Sequence, residues 1–417
     1  MHRPAIIVSS CFALVLAMQS LAGAADHRIE VTVAAGNFDR SDTIVTAQLP
    51  PGVNEGGLKL KLDGKVVSSQ WGDDRKLALA IGRLAKNTSI TYELTSNAPI
   101  TRARGTADRF PRMQATRAGT KLQFTMADDS KLRRLMSYHA EPGEFPRADI
   151  KPVFKRGAYL HPIMTPSGKV VTDDFPANHI HHHGVWWAWT HTEFDGRQPD
   201  FWNMGDGKGL VEFEALDREW NGDLHAGFRA RHRFVDTTSG KPLTVLNETW
   251  QVTAYAAGAA SRYWIFDLVS EQQCATGKEL KLPTYRYGGV GVRGNWAWNG
   301  IGKALFLTSE GETDRDKGNL SRARWCDMGG DVDGGRVGIA ILCHPENFRA
   351  PQPMRLHPTE PFFNYAPQQA GDMAIKPGER YVAKYRFVVH DGPPDQAELD
   401  RLWNDYAHPP VVTVSVK

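Results

Sequence analysis

The sequence has little cysteine, no long hydrophobic run after its first residues and almost no net charge. Its 417 residues include four cysteines, and the formal net charge is +3 at pH 7. A balance this close to neutral argues against a nucleic-acid partner, which requires a clustered basic face. After the N-terminus, no stretch approaches the ~20 apolar residues of a transmembrane helix. We therefore expect neither a nucleic-acid nor a membrane partner.

Several catalytic motifs are also missing. The chain contains no Gly-rich phosphate loop, no HExxH, no GxSxG and no CxxC. These motifs carry nucleotide binding, zinc proteolysis, serine hydrolysis and thioredoxin-like redox chemistry. Their absence argues against all four classes.

Residues 1–24 predict a secretory leader. They combine a basic start, a short apolar stretch and the small residues Ala22, Gly23 and Ala24. Signal peptidases cleave after such a pattern, and the apolar part is too short for a membrane anchor. We expect export to a bacterial periplasm, with a mature chain that starts near Ala25.

Cysteine usage fits a chain that does not depend on disulfides. Cys11 lies in the leader, and Cys274, Cys326 and Cys343 remain. Three cysteines in an oxidising compartment allow at most one bridge. We expect Cys326 to pair with Cys343, and three buried thiols are an equally good interpretation.

Alternating apolar and polar residues predict an all-β protein. Residues 210–273 alternate in this way, and three turns interrupt the pattern: Trp220–Asp223, Thr238–Lys241 and Ala257–Ala259. Four long antiparallel strands of this kind are typical of a large β-sandwich. One short helix is expected near the end, in DQAELDRLWNDYA, with Asp395 as its N-cap and prolines after it.

Two β units are expected after the leader. Short strands between residues 25 and 105 resemble a small immunoglobulin-like module. The rest of the chain, residues 110–417, is expected to form the large sandwich with the candidate active site.

The segment NHIHHHGVWWAWTH, residues 178–191, concentrates histidine and tryptophan. An extended backbone would place His179, His181 and His183 on one face and His182 on the other. Such imidazoles could bind a divalent metal ion, with His161, His181 and His183 as ligands, or they could transfer protons. Hydrogen bonding to backbone in a buried turn is the alternative for any single histidine.

Aromatic and polar residues nearby suit a sugar. Trp187 and Trp202 can stack on pyranose faces while Asp200 and His161 bond hydroxyl groups, although at least two tryptophans of this region are expected in the core. Three later Gly-rich or charged stretches supply further candidates for binding and acid–base chemistry: Tyr285, Arg293, Glu310, Arg324, His344 and Asn347.

The chain resembles the bacterial PmoA-like family of unknown function, which carries a methane-oxygenase label. The resemblance runs from about Phe110 to Tyr406 in the motifs NHIHHHGVWWAW, DFWNMGDG, YGGVGVRG, ARWCDMGG and CHPENFR. The family's usual HPHHRG-like pattern is altered here at Ile180 and His183. The resemblance implies a large supersandwich similar to galactose mutarotases, a fold found among carbohydrate enzymes.

We therefore expect a periplasmic carbohydrate-active enzyme, a hydrolase, lyase or epimerase. His182 or His183 would move a proton, Glu310 or His344 would be the complementary acid or base, and Arg293 or Arg324 would stabilise negative charge. A non-catalytic glycan-binding protein is one alternative. A metal-dependent enzyme that uses copper or zinc at the histidines is another.

Overall fold

The computed structural model describes part of the chain. It covers residues 28–417 except 52, 54–57, 73–74, 97–111, 128–130 and 257–262. The predicted leader and the predicted turn at Ala257–Ala259 lie outside the described residues. Within these residues, no helix is long and apolar enough to cross a membrane.

A small sandwich opens the described chain. Its seven strands are β1 Ile29–Ala34, β2 Arg40–Gln48, β3 Leu58–Leu62, β4 Lys65–Val66, β5 Ser69–Trp71, β6 Lys76–Leu84 and β7 Ser89–Ser96. In β1 the apolar residues Ile29, Val31 and Val33 are buried while the residues between them are partly exposed. This period-two burial lets the strands enclose a separate small core.

The large unit contains eighteen described strands. They are β8 Arg112–Ala118, β9 Lys121–Ala127, β10 Leu132–His139, β11 Tyr159–Ile163, β12 Val185–Ala188, β13 Gly209–Trp220, β14 His225–Asp236, β15 Leu243–Tyr255, β16 Tyr263–Cys274, β17 Leu280–Leu282, β18 Gly289–Arg293, β19 Leu305–Thr308, β20 Trp325–Val332, β21 Gly335–Cys343, β22 Met354–Leu356, β23 Phe362–Tyr365, β24 Met373–Ile375 and β25 Tyr381–Asp391.

Two eight-stranded antiparallel sheets dominate this unit. The first sheet has the order β22-β23-β18-β12-β11-β10-β9-β8, and the second has the order β13-β14-β15-β16-β25-β21-β20-β19. The predicted meander is β13 to β16 of the second sheet. The predicted all-β class, with a large antiparallel sandwich beside a small one, is confirmed.

A buried polar network crosses the core between the two sheets. The Tyr138 hydroxyl lies 2.7 Å from His232 Nε2, and His232 Nδ1 lies 3.0 Å from Glu248 Oε2. Glu248 Oε1 accepts hydrogen bonds from Ser270 at 2.6 Å and from Gln272 at 2.7 Å. Because the partners come from both sheets, their alignment is specified by directional bonds as well as by packing.

The chain ends in a helix and a strand that return to the small unit. A short helix, α1 Arg315–Gly318, precedes the main helix, α2 Gln396–Ala407. Asp395 caps α2 as predicted, since its carboxylate accepts from Glu398 N at 3.1 Å. The last strand, β26 Val411–Val416, was not predicted, and it pairs with β1. The small unit's five-stranded sheet therefore has the order β26-β1-β7-β3-β4, beside the three-stranded sheet β2-β6-β5.

The expected disulfide between Cys326 and Cys343 is wrong, because all three described cysteines are free thiols. Cys326 lies opposite Ile341 in the β20–β21 ladder, so Cys343 occupies the diagonal position on the same face. Diagonal neighbours lie about 7–8 Å apart, beyond the ~4.4–6.8 Å between α-carbons that a disulfide spans.

A buried ion pair joins α2 to the small unit. Arg40 Nη1 lies 2.8 Å from Asp405 Oδ1, and the two side chains are only 2% and 3% exposed. Asp405 Oδ2 also accepts a hydrogen bond from Thr43 at 2.8 Å. The contact thus couples the end of the large unit to β2.

Removal of this charge should destabilise the protein strongly. We expect Asp405→Asn to lower the free energy of unfolding by about 3–5 kcal/mol, because the Arg40 guanidinium stays buried without a charged partner. The measurement is urea unfolding followed by circular dichroism. Asp331→Asn, which breaks the surface pair with Arg336, is the matched control and should cost at most about 1 kcal/mol. Equal losses in the two variants would contradict this role for the pair.

Candidate active site

The candidate site lies on the face of the first sheet that points away from the second sheet. Alternation along the strands decides which side chains reach it. In β12, Trp186 faces outward and contacts His182 and Trp202, whereas Trp187 faces inward. The cross-strand pairing of Tyr159 with Trp186 places Tyr159 on the same outer face.

The histidine segment forms turns rather than a strand. His179 N donates to Pro176 O at 3.0 Å and His182 N donates to His179 O at 2.8 Å. Residues three apart lie one above the other in such turns. The predicted separation of His182 from the other histidines is therefore wrong.

Four imidazoles form what we call the histidine cluster: His179, His181, His182 and His357. The ring of His179 stacks on His182 at 4.7 Å and lies 5.5 Å from His357. His181 meets His182 edge to face at 4.7 Å. His179 and His181 are partly exposed, whereas His182 is buried, so the cluster leads from solvent into the interior.

Aromatic rings form the floor beneath the cluster. His182 lies 5.1 Å from Trp186 and 4.8 Å from Phe362 between ring centroids. Trp202 lies 5.1 Å from Trp186 and 5.9 Å from Tyr287. Tyr285, predicted for binding, lies 6.1 Å from Tyr287 at the edge of this floor.

Asp200, predicted to bind hydroxyl groups, instead holds the loop that carries Trp202. Its Oδ1 accepts from Trp202 N and Asn203 N at 2.9 Å each. Its Oδ2 accepts from Thr190 at 2.9 Å and from the Asn203 amide at 2.8 Å. The carboxylate is therefore a positioning group.

His183 turns away from the cluster and forms a dyad with Asp174. His183 Nδ1 lies 2.7 Å from Asp174 Oδ1, and Asp174 Oδ2 accepts a 2.9 Å bond from Tyr159. Burial lowers the pKa of His183, although the bond to Asp174 opposes the shift. Burial alone would raise the pKa of Asp174, but the His183 hydrogen bond and the nearby imidazoles lower it overall. A neutral His183 that donates through Nδ1–H leaves its Nε2 lone pair as a base.

Arg293 lies fully buried at the edge of the cluster. Its Nη2 donates to Asn299 Oδ1 at 2.7 Å and to Asn178 Oδ1 at 3.1 Å, and it lies 3.2 Å from Glu360. Burial lowers the pKa of Arg293. Its other two nitrogens, Nε and Nη1, are buried and have no hydrogen-bond partner within the described chain.

Unpartnered buried polar atoms concentrate around the site. Of the 21 buried side-chain atoms that have no hydrogen-bond partner among the described residues, nine belong to residues at or beside the site: Asp173 Oδ2, His179 Nδ1, His182 Nδ1, His183 Nε2, Trp186 Nε1, Arg293 Nε, Arg293 Nη1, Arg355 Nε and Asn364 Oδ1. Buried polar groups are normally paired, and each unpaired group costs about 1–3 kcal/mol. Such a concentration is characteristic of a site that binds a polar molecule.

Burial lowers the pKa values of the imidazoles at the site. Burial lowers the pKa values of His161, His181 and His357 to about 4. For His181 and His357, the neighbouring His179 lowers the pKa further. The low pKa values disfavour the protonated rings, so the site presents ring nitrogens that accept or donate hydrogen bonds as neutral imidazoles.

The predicted metal ligands His161, His181 and His183 do not converge. His161 Nδ1 lies 3.0 Å from Thr172 Oγ1, His183 Nδ1 is bonded to Asp174, and His181 packs in the cluster. Across the described ranges, no group of three or more His, Cys, Asp or Glu residues is arranged to hold a metal ion.

Trp187 lies in the core and not at the site, contrary to its predicted role. Its ring is fully buried, 5.8 Å from Tyr385 of the second sheet and 6.1 Å from Trp189. Successive side chains of a strand point to opposite faces of the sheet, so Trp186, the neighbour of Trp187, points outward.

Four other predicted residues lie near the second sheet instead. Arg324 Nη2 bonds Asp400 of α2 at 3.0 Å, and the His344 ring lies 4.9 Å from Tyr406 of α2. Asn347 bonds Lys384 O at 2.8 Å, and Glu310 is exposed after β19. Since β19, β20, β21 and β25 belong to the second sheet, these residues are not brought to the histidine cluster.

Two carboxylates were missed in the sequence. Asp173 and Asp174 occur together in TDDFP, directly before the histidine segment. Burial raises the pKa of Asp173, and its Oδ2 has no partner within the described chain. The sequence signal that could have found them is the pair of consecutive acids beside the histidine segment. That Asp174 is hydrogen-bonded whereas one oxygen of Asp173 has no partner could be seen only in the structure.

Comparisons with solved structures return β-rich glycosidases at low similarity. An alpha-mannosidase from Enterococcus faecalis V583 is 9% identical with a TM-score of 0.46, and the match covers 94% of this chain and 46% of that one. A glycosyl hydrolase family 38 protein from Enterococcus faecalis is 9% identical with a TM-score of 0.39, over 94% and 47%. The chain spans about half the length of each.

Sequence comparisons place the chain in a family. No curated protein matches it. A model of a family of unknown function, DUF6807, matches residues 126–404. This range includes the second sheet, the first sheet apart from β8 and most of β9, and the whole histidine segment. The chain therefore belongs to the family of unknown function DUF6807.

Proposed function

We propose that the protein is a carbohydrate-active enzyme that performs histidine-dependent acid–base chemistry at the outer face of the first sheet. The observation that carries this proposal is the set of unpartnered buried polar atoms above an aromatic floor. A sugar has apolar C–H faces that stack on rings and hydroxyl groups that satisfy polar atoms at its edge. At this site the partly exposed rings of His179, His181 and Tyr287 are the ones open to a sugar, since Trp186 and Trp202 are buried.

His183 is the proposed general base. Asp174 fixes the imidazole with the proton on Nδ1, so Nε2 accepts a proton from a sugar carbon, a hydroxyl group or a water molecule. Tyr159 holds the second oxygen of Asp174 and thereby fixes the orientation of the carboxylate. Catalytic triads use the same arrangement, in which a third group orients the base.

Asp173 is the proposed complementary acid, in place of Glu310 or His344. Burial raises its pKa, so this carboxyl holds a proton more readily than an exposed one and would return it to a leaving oxygen or to a ring carbon. Arg293 supplies two N–H groups that stabilise negative charge as the proton leaves the sugar. Hydrolysis, β-elimination and epimerisation all use these parts.

The proposed cellular location is the periplasm. It rests on the leader pattern in residues 1–24 and on the size of the mature chain, which forms its core without a disulfide framework. A sugar reaching this compartment would be an extracellular or cell-envelope glycan.

Substitution of the base should abolish turnover and preserve the fold. After a screen of oligosaccharides for released reducing ends, unsaturated products and inverted centres, His183→Ala should lower kcat about 10²–10⁴-fold. The thermal midpoint and sugar affinity are measured beside kcat. His408→Gln, an exposed histidine after α2, is the matched control and should leave kcat unchanged.

The glycan-binding alternative gives the opposite pattern. If no screened sugar is converted, but one binds and Trp202→Ala removes binding while His183→Ala does not, the protein binds glycans without catalysis. Turnover that survives His183→Ala would also overturn the assignment of the base.

The pH dependence of kcat tests the dyad itself. His183 must be neutral to accept a proton, so kcat falls as the pH falls through its pKa. Because burial lowers that pKa below the usual 6.5, the acid half-point should lie below pH 6.5.

Asp174→Asn provides a second measurement on the same profile. Asp174 raises the pKa of His183, so its replacement should move the half-point to lower pH and also lower kcat. An acid half-point above 6.5, or an upward shift in Asp174→Asn, would contradict the dyad.

A further inference from the structure

A cavity lies where the small and large units meet, and none of its lining residues belongs to the histidine cluster. This junction cleft has a volume of about 580 Å³, within the ~300–1,000 Å³ typical of ligand sites. Trp71 and Lys76 line it from the small unit, and Arg218, Trp220 and Arg229 line it from β13 and β14.

The floor of the junction cleft is fixed by a side chain that crosses between the units. Gln70 Oε1 accepts from Leu224 N and His225 N at 2.9 Å each, and Gln70 Nε2 donates to His225 O at 2.9 Å. A β-carbon on Gly222 would lie 2.1 Å from the Gln70 side chain, so this position has room only for glycine. The two walls are therefore held in one arrangement.

The walls combine aromatic rings with positive charge. The Trp220 ring is oriented by a 3.0 Å bond from Nε1 to His225 Nδ1, and Arg218 lies over it at 5.3 Å. The lining residues include three cations, Lys76, Arg218 and Arg229, and none of the described lining residues is a carboxylate.

Two of these cations are available for a ligand. Lys76 and Arg229 are exposed, and neither side chain has a hydrogen-bond or ion-pair partner in the described part of the chain. Unpaired cations beside indole rings bind molecules that carry an anionic group on a ring with an apolar face.

We propose that the junction cleft is a second, non-catalytic site that binds an acidic oligosaccharide. Lys76 and Arg229 contact its carboxylate or sulfate groups, and Trp71 and Trp220 contact its ring faces. This site holds a charged glycan on the protein independently of the chemistry proposed for the histidine cluster.

The test is titration calorimetry of the mature protein with three probes: trigalacturonate, a sulfated heparin-derived tetrasaccharide and neutral maltotriose. We expect an acidic probe to bind and maltotriose not to bind. Binding should weaken as sodium chloride is added, because salt screens exposed charges. Binding of the uronate alone or of the sulfated probe alone equally supports the site and identifies the anionic group.

Matched variants locate the binding. The double variant K76Q/R229Q should weaken binding about tenfold or more, and Trp71→Ala should weaken it as well. The double variant R83Q/K86Q removes the same charge from exposed positions of the small unit and should leave the affinity unchanged. His179→Ala, in the other site, should also leave it unchanged. Thermal midpoints confirm that each variant is folded.

Four results would overturn the proposal. Two concern the probes: neither acidic probe binds, or maltotriose binds as tightly as they do. Two concern the variants: R83Q/K86Q loses as much affinity as K76Q/R229Q, or His179→Ala loses affinity while K76Q/R229Q does not. The last result would assign the acidic sugar to the histidine cluster and would leave the proposed enzyme function standing.

Discussion

The central strands β12, β18 and β23 of the first sheet are buried on both faces, and both the core and the site depend on this double burial. All four residues of β12 are buried. Trp187 packs toward the second sheet, while Trp186 packs beneath the histidine cluster. The loops between strands cover the outer face, so residues 164–184 are held in place by the same rings that form the site floor.

Burial of the outer face also sets the chemistry of the site. Imidazoles that are removed from water have low pKa values and favour the neutral form. A buried carboxyl group stays ionised only where hydrogen-bond or charged partners stabilise its negative charge. Asp174 has such partners in His183 and Tyr159, whereas Asp173 has an unpartnered oxygen and a raised pKa. Their environments therefore move the pKa values of two adjacent acids in opposite directions, which is the asymmetry that the proposed acid–base chemistry uses.

Much of the fold could be predicted from local patterns. Strand alternation gave the meander β13 to β16, and an Asp-capped amphipathic segment gave α2, because both signals are local. The strand β26 was missed since its partner β1 lies at the other end of the chain. Only some of the site residues could be predicted from the sequence. His182, His183, Trp202 and Arg293 were named, but the sheet that carries Glu310, Arg324, His344 and Asn347 depends on long-range strand order. The resemblance to the PmoA-like family stays a prediction.

The most direct test of the central claim is a nitrogen NMR measurement of the His183 ring, in protein with ¹⁵N-labelled histidine and with His183→Gln for assignment. The expected result is a neutral imidazole at pH 7, with its proton on Nδ1 and a free Nε2. A proton on Nε2 alone, or a doubly protonated ring at that pH, would contradict the proposal that Asp174 prepares His183 to act as a base.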